Sequence, residues 1–209
     1  MYVPAHFRVE DRAELLGVIE AFPLGLLITQ DEQSVYADPI PMLLAEAGTK
    51  LLAHVARPNP LWQRLSKSPQ VLIVFQGQDH YISPGYYPSK VQTGKAVPTW
   101  NYVNVQARGF AKVHEDAHWL HTQVQHLTDR HERDQEQPWS VDDAPQDYMA
   151  SQLNAIVGLE ISIASLEGKF KVSQNKSLED REGVVSGLEA KGSEAAAMAQ
   201  LVRTKAKMV

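Results

Sequence analysis

Cysteine is absent from this chain of 209 residues. Its absence excludes disulfides, thiolate catalysis, iron–sulfur clusters and cysteine-ligated zinc, and it favours the cytoplasm as the compartment. Long apolar runs are missing too, because the longest aliphatic stretches, at residues 24–28 and 71–75, are strand-length and too short to span a bilayer. The N-terminus also lacks the basic start and apolar block of a secretory signal. We therefore expect no membrane role.

Positive charge is in short supply. Lys and Arg number 20 against 25 Asp and Glu, which gives a formal net charge of −5. Nonspecific DNA affinity needs clustered cations that neutralise phosphates, so the net charge does not support DNA as a partner. The net charge is an average, and a local basic patch would leave DNA binding possible. The C-terminal segment carries three basic residues, Arg203, Lys205 and Lys207, which could suggest DNA contact. Cations in the last turn of a helix are equally expected from the helix dipole. No Gly-x-Gly-x-x-Gly turn or phosphate loop is present, which argues against a dinucleotide fold or a nucleotide triphosphatase.

The pattern of apolar residues predicts many strands in the first 175 residues. Strands are predicted at 24–29, 35–44, 50–56, 71–75, 99–113, 156–166 and 169–173, the first three as an antiparallel meander. Helices are predicted at 10–22, 59–67, 116–133 and from 146, with two more after Ser177. Apolar residues make up 44% of the chain, enough for a proper core. The result is an α+β, mainly β chain: a partly open antiparallel barrel with helices packed outside it.

The segment 80–102 mixes rings, cations and amides between turn residues. Prolines and glycines fix an irregular path there, since they fit poorly inside a helix or a central strand. Aromatic rings and Trp100 offer stacking faces, Lys offers a partner for a phosphate, and Asn101 can bond ring-edge atoms. This mixture predicts a binding loop for a flat, charged, heteroaromatic ligand. The alternative is a long surface hairpin.

Four stretches of the chain resemble one known family. They are Met-Tyr-Val-Pro-Ala-His-Phe at the start, 48–60 with His-Val-Ala-Arg-Pro-Asn-Pro, the segment 80–102, and 166–175 ending in Ser-Gln-Asn. From residue 1 to about 187 the chain resembles the PaiB-type family of FMN-binding split-barrel proteins. Members are often described as negative transcriptional regulators. The resemblance implies a split β-barrel related to pyridoxamine phosphate oxidases and small flavin reductases, FMN as cofactor, and a homodimer with flavin near the subunit interface.

Candidate cofactor-binding residues come from three separated patches that we expect to converge. They are His54, Arg57 and Asn59; Lys90, Thr99, Trp100 and Asn101; and Lys171, Ser173, Gln174 and Asn175. Arg57, Lys90, Lys95, Lys169 and Lys171 are the candidate partners for the flavin phosphate, because an ester phosphate needs charge-assisted donors. Some of the candidate residues also have a purely structural explanation. His54 could be a core histidine, Arg57 a solvated residue at a strand end, Trp100 a core aromatic, and residues 173–175 a polar turn.

A histidine-rich stretch offers a second cluster. His114, His118, His121, His126 and His131 lie in one predicted helical region. Three of them could share a helix face for a metal, but Asp116 is predicted to cap the helix and to leave His114 in the preceding strand. A solvated helix face is the usual fate of such residues. We therefore assign no metal site.

The leading functional hypothesis is an FMN-binding split-barrel protein that resembles PaiB-type regulators. Two alternatives stay open: an NAD(P)H-dependent flavin reductase or oxidase, and a haem-binding split barrel. No catalytic residue is assigned, because the flavin itself performs the redox chemistry in such proteins. The predicted organisation is a split-barrel domain at 1–175 and a C-terminal helical extension at 176–209.

Overall fold

A computed structural model describes residues 1–205 of the protein. Lys207 therefore lies outside the described residues. The α-helices are α1 Arg12–Ala21, α2 Leu61–Lys67, α3 Ser89–Thr93, α4 Ala117–Glu132, α5 Gln146–Asn154, α6 Leu178–Glu189 and α7 Ser193–Lys205. The strands are β1 Arg8–Val9, β2 Leu24–Gln30, β3 Val35–Pro41, β4 Leu43–Ala45, β5 Lys50–Ala56, β6 Gln70–Ile82, β7 Thr99–His114 and β8 Ile156–Lys171.

The strands form one sheet in the order β3-β2-β6-β7-β8-β5-β4, with β1 paired to β8. The pairs β1–β8, β2–β3, β2–β6, β4–β5 and β5–β8 are antiparallel. An antiparallel sheet with helices in its connections is the predicted α+β, mainly β class. Within residues 1–205, none of the helices combines the length and the apolar content needed to cross a membrane.

The chain divides into two compact units. The first unit comprises Met1–Leu15, Gln76–Val105 and the described residues from Glu167 onward; the second comprises Leu16–Phe75 and Gln106–Leu166. The long strands β6, β7 and β8 each contribute residues to both units. The predicted boundary between 175 and 176 stays a prediction.

The second unit has a core of alternating strand residues. Leu27, Leu51, Ile73, Leu159 and Ile161 are fully buried. Because side chains alternate across a strand, every second residue of β2, of β5 and of β6 up to Phe75 reaches this core. Burial of each such side chain contributes about 1.5–3 kcal/mol relative to exposure. The alternation in the sequence is therefore what determines the inward face of the sheet.

The first unit has its own core beside the two C-terminal helices. Val184, Leu188, Met198 and Val202 of α6 and α7 are buried, as is Phe170 near the end of β8. The Ser177 hydroxyl accepts a hydrogen bond from the Asp180 backbone N–H and so caps α6, as predicted. Two helices after Ser177 are also confirmed.

Several predicted elements differ in the structure. The predicted antiparallel pairings of the meander are found, since β2 pairs with β3 and residues 43–44 pair with β5. The predicted strand 35–44 is nevertheless split at Met42 into β3 and β4, and β5 also pairs with β8. The predicted strands at 156–166 and 169–173 are one continuous strand, β8. The strand predicted at 71–75 extends to Ile82, so the binding loop begins inside β6. Pairing partners far apart in sequence decide these points, and local periodicity does not report them.

Candidate functional site

The start of β7 and the end of β8 meet in the first unit. The Lys171 ammonium donates hydrogen bonds to the Thr99 hydroxyl and to the Trp100 carbonyl, each at 2.5 Å. The buried Asn101 amide and the Ser173 hydroxyl also bond each other, with Nδ2 and Oγ 3.0 Å apart. Two of the three predicted patches therefore come together, because β7 and β8 are neighbours in the sheet.

These residues line a cavity of about 180 Å³. Its lining consists of Tyr87, Val97, Pro98, Thr99, Asn101, Lys171, Ser173, Asn175 and Lys176. Among these described lining residues are two cations, several hydroxyls and two amides, and there is no carboxylate. Such a set of hydrogen-bond donors suits an anion.

The electrostatics of the cavity are dominated by lysines. Burial lowers the pKa of the Lys171 ammonium, and the neighbouring charges of Lys169 and Lys176 lower it further. Lys169 and Lys171 also lie near the face of the Tyr102 ring, at 5.3 and 6.0 Å from its centroid. A bound anion would stabilise the charged form of this half-buried lysine, which the neighbouring lysines destabilise.

A tight turn after β8 presents the polar side chains. Ser173 has a left-handed backbone with φ of 67°, which is uncommon for a residue other than glycine. The Ser173 carbonyl accepts a hydrogen bond from the Lys176 N–H at 3.0 Å. Gln174 holds the turn, since its side chain accepts from the Val172 N–H and donates to the Phe170 carbonyl. The turn directs Ser173, Asn175 and Lys176 to the cavity, whereas Gln174 is occupied with the backbone.

Four other predicted residues of the first unit are outside the cavity lining: Lys90, Lys95, Trp100 and Lys169. Trp100 points to the opposite face of β7 from Thr99 and Asn101, because strand side chains alternate. Its ring is 53% exposed and meets the Tyr81 ring edge-on, with centroids 6.0 Å apart. Lys90 is exposed on α3. Ring stacking by Trp100 and phosphate contact by Lys90 stay predictions.

The third predicted patch lies in the second unit, where each member has partners within that unit. His54 Nδ1 is 2.8 Å from the Gln123 side-chain oxygen. The Arg57 guanidinium donates to the carbonyls of Asn154 and Ile156 at 2.8 and 3.1 Å, and it pairs with Glu115 at 2.5 Å. Asn59 accepts from the Leu61 N–H at the start of α2. These contacts connect β5 and the turn after it to α2, α4, α5 and β8. The cofactor roles of His54, Arg57 and Asn59 stay predictions.

Two polar residues of the cavity lining, Tyr87 and Lys176, were not among the predicted site residues. Tyr87 is 3% exposed, and its hydroxyl has no hydrogen-bond partner among the described residues. The Lys176 ammonium lies 4.8 Å from the centroid of the Tyr87 ring. Both residues adjoin predicted segments: Tyr87 is inside the aromatic-rich loop, and Lys176 follows Ser-Gln-Asn directly. Their positions in the sequence indicated that they lie near the site, but the sequence did not predict their burial or their contacts.

The histidine-rich region takes a structural role at its first member. His114 is the last residue of β7, and Asp116 caps α4 by accepting from the Trp119 N–H, both as predicted. The His114 ring stacks on the Trp119 ring with a centroid distance of 4.2 Å. Burial lowers the pKa of His114, and the nearby Lys112 adds to that effect. Within residues 1–205, no three His, Asp or Glu side chains are arranged to hold a metal ion.

Residues 1–165 match the family described as "Putative FMN-binding domain". The chain belongs to this family. Its cofactor is accordingly FMN, as the sequence resemblance implied. The family match ends within β8, so Lys171, Ser173 and Lys176 lie beyond it.

Relatives of this FMN-binding family member extend over the whole chain. An uncharacterized protein of Emericella nidulans is 32% identical over 247 residues, covering 100% of this chain and 98% of the relative. The Bacillus subtilis protease synthase and sporulation protein PAI 2 is 27% identical over 210 residues, covering 99% of each chain. The PaiB-type resemblance is thereby confirmed.

A solved structure supports the fold of this FMN-binding family member. The FAD and heme binding protein from Mycobacterium smegmatis superposes with a TM-score of 0.60 at 15% identity, covering 86% of this chain and 80% of that one. At that identity the similarity concerns the fold alone. The split-barrel fold predicted for the chain is confirmed.

Proposed function

We propose that the protein binds FMN with the phosphate end of the cofactor in the lysine-lined cavity of the first unit. The observation that carries this proposal is the set of cationic and neutral donors around Lys171, with no carboxylate among the described lining residues. Sites that hold a complete small molecule usually enclose about 300–1,000 Å³. A cavity of about 180 Å³ suits a phosphate and the adjoining part of the ribityl chain. The flavin ring extends beyond it.

The donors have distinct roles in this proposal. Lys171 uses two of its three N–H groups on Thr99 and Trp100, so one remains for a phosphate oxygen. Lys176 supplies a second charge from the turn after β8, and the Asn175 amide supplies a neutral donor. The Ser173 hydroxyl donates to the Asn101 side-chain oxygen at 3.2 Å and so holds the two strands together. The strained Ser173 backbone supports the assignment, since such conformations cluster at ligand sites.

Flavin-dependent redox activity is the finer part of the proposal. Bound flavin supplies hydride and electron transfer, and the protein supplies binding, orientation and electrostatics. The residues described here hold the cofactor and orient it, and no proton-transfer residue is assigned. A steady loss of NADH or NADPH absorbance with FMN present would support an oxidoreductase. A flat trace with both donors would count against it. The cytoplasm is the compartment that we propose for this activity.

A second copy of the chain is the proposed partner of the outer sheet face. In the second unit, Leu24 and Leu26 of β2 are exposed and pair in register with Pro41 and Pro39 of β3; Leu26 also pairs with Val74 of β6. Contiguous exposed apolar surface of this kind marks interaction sites. The prolines of the edge strand β3 hinder the addition of another strand, so we place the interface on the face of the sheet and not on its edge. This surface supports the homodimer that the family resemblance implies.

The deciding experiment is one absorption spectrum followed by two titrations. Flavin bands in the purified protein, or on addition of FMN, support the proposal; a haem band would favour the haem alternative. Titration with FMN and with riboflavin, which lacks the phosphate, then tests the cavity. We expect FMN to bind at least tenfold more tightly than riboflavin, because the phosphate gains charge-assisted hydrogen bonds. Equal affinities would overturn the placement of the phosphate.

The regulatory alternative rests on the PaiB-type resemblance and predicts sequence-specific DNA binding. The net charge of −5 gives it no general support. Retardation of one promoter fragment at physiological salt, but not of a scrambled fragment of equal length, would support a regulator. Binding that is blind to sequence and disappears with salt would argue against it.

A further inference from the structure

Helix α6 carries the loop that forms one wall of the cavity. Gly183 and Gly187 are one helical turn apart and lie against Tyr86. A Cβ atom on Gly183 would lie 2.1 Å from the Tyr86 carbonyl oxygen, and one on Gly187 would lie 2.3 Å from the Tyr86 ring. Real Cβ contacts are never so close. The loop therefore rests directly on the backbone of α6, and only glycine permits this approach.

Asp180 fastens the same loop one turn earlier on α6. This carboxylate is 8% exposed and accepts two hydrogen bonds from Ser89, from the N–H at 3.1 Å and from the hydroxyl at 2.8 Å. Ser89 is the first residue of α3. Asp180 and the two glycines together hold both sides of the short segment that contains Tyr87.

Tyr87 lies between these anchored residues, and its hydroxyl is the unexplained group of the cavity. The side chain is 97% buried, lines the cavity and has no hydrogen-bond partner for its Oη among the described residues. Buried polar groups are nearly always paired, so an unpaired hydroxyl that lines a cavity is a candidate for contact with a bound ligand. Burial, with the negative charge of Asp180, raises the pKa of the Tyr87 phenol. The hydroxyl therefore keeps its proton and remains a donor.

We propose that Tyr87 is a further ligand-contacting residue, whose hydroxyl donates a hydrogen bond to the phosphate of FMN, and that Asp180 is the positioning residue that holds it there. This inference rests on the proposed function, because it requires the phosphate to occupy the cavity. It makes α6, which lies outside the family match at residues 1–165, part of the binding site. Lys176, over the Tyr87 ring, completes the same wall.

The test of the contact is Tyr87→Phe, which removes only the hydroxyl. The dissociation constant for FMN should rise about tenfold or more, as expected for a lost hydrogen bond to a charged group, while that for riboflavin stays the same. Tyr148→Phe is the matched control, because Tyr148 is 56% exposed on α5, and it should leave both constants unchanged. An unchanged FMN constant in Tyr87→Phe would overturn the contact.

The test of the positioning role compares two changes at one site. Asp180→Ala should weaken FMN binding and leave riboflavin binding unchanged, and Asp180→Asn should restore most of the FMN affinity because its amide oxygen still accepts from the Ser89 N–H. Equal FMN constants in wild type and Asp180→Ala would overturn the role. If Asp180→Ala does not fold, Ser89→Ala removes one of the two hydrogen bonds and should weaken FMN binding in the same selective way; an unchanged constant there would overturn the role.

A parallel titration of Lys171→Met separates this inference from the function on which it rests. Weaker FMN binding in Lys171→Met together with wild-type binding in Tyr87→Phe would overturn the Tyr87 contact alone. FMN binding that neither substitution changes would overturn the placement of the phosphate itself.

Discussion

The Lys171 ammonium lies 2.5 Å from the Thr99 hydroxyl, although the two residues are 72 positions apart in the chain. This hydrogen bond joins the end of β8 to the start of β7 and defines one side of the cationic cavity. The adjacent bond between Asn101 and Ser173 spans the same number of positions. The arrangement of the cavity therefore depends on how these two strands lie side by side.

Replacing Lys171 by Met should raise the dissociation constant for FMN about tenfold or more, because a charge-assisted hydrogen bond to the phosphate is lost. Quenching of flavin fluorescence on titration measures the constant. Lys67→Met is the control, since Lys67 is exposed on α2 outside the cavity lining, and it should bind FMN like wild type. Equal losses in both variants would contradict a specific role for Lys171.

FMN affinity should fall as the pH rises through the lowered pKa of Lys171. Without ligand, burial and the neighbouring lysines hold this pKa below the ordinary 10.5, and a bound phosphate raises it again by favouring the ammonium. Binding above the ligand-free pKa therefore requires proton uptake, and affinity is lost in that range. Titrations from neutral pH to 10.5, with riboflavin controlling for titration of the ring, measure the effect. Lys171→Met should remove the pH dependence that is specific to FMN.

Arg57→Ala should lower the free energy of unfolding by about 1–3 kcal/mol, because two backbone carbonyls and Glu115 lose a charged donor. Urea denaturation measures this change. Arg203→Ala is the control: its ion pair with Glu189 is half exposed, and such pairs contribute about 0–1 kcal/mol. Full stability with weakened FMN binding would instead indicate that Arg57 serves the cofactor.

Gly158→Ala should destabilise the protein by about 1–3 kcal/mol, because a Cβ atom there would lie 2.1 Å from the Trp119 ring and would displace the ring that stacks on His114. Gly17→Ala is the opposite case. Gly17 lies inside α1 with nothing within 4 Å of an added Cβ, so alanine should stabilise by about 0.5–1 kcal/mol. Thermal or urea unfolding of the two variants checks both signs, and a stable Gly158→Ala protein would refute the packing described.

Leu24→Asp should weaken the proposed homodimer, because it places a charge on the outer apolar face of β2. Sedimentation over a range of protein concentrations measures the shift toward monomer. Leu178→Asp is a matched control, since Leu178 is also a leucine 61% exposed but lies on α6. A monomeric wild-type protein, or a dimer that tolerates Leu24→Asp, would exclude this surface as the interface.

Some features of the site were readable from sequence because they are local. Asp116 and Ser177 cap the following helices through residues only three positions away. The polar run after β8 was also predicted, but the sequence did not separate Asn175, which lines the cavity, from Gln174, which is occupied with the backbone. That distinction depends on the left-handed backbone conformation of Ser173. The residue type serine does not predict this conformation.

The burial of Tyr87 illustrates what was not readable. Its neighbours in sequence suggested an aromatic binding loop, yet the residues on either side of it, Tyr86 and Pro88, lie against α6, whose glycines come about a hundred positions later in the chain. Arg57 illustrates the same limit. Its partners on Asn154 and Ile156 are 97 and 99 positions away, so a residue predicted to meet phosphate has its donors engaged with backbone.

The amino-acid sequence by itself determined the class of the protein, the helix caps at Asp116 and Ser177, the alternation of inward and outward residues along the strands, and the kinds of side chain that line the cavity. These properties follow from periodicity, residue chemistry and family-specific motifs, all of which act over a few neighbouring positions. Only the tertiary structure decided the order of the strands, which lysine lies beside Thr99, and which tyrosine is buried without a partner. Those outcomes depend on contacts between distant segments, which form only when the whole core packs.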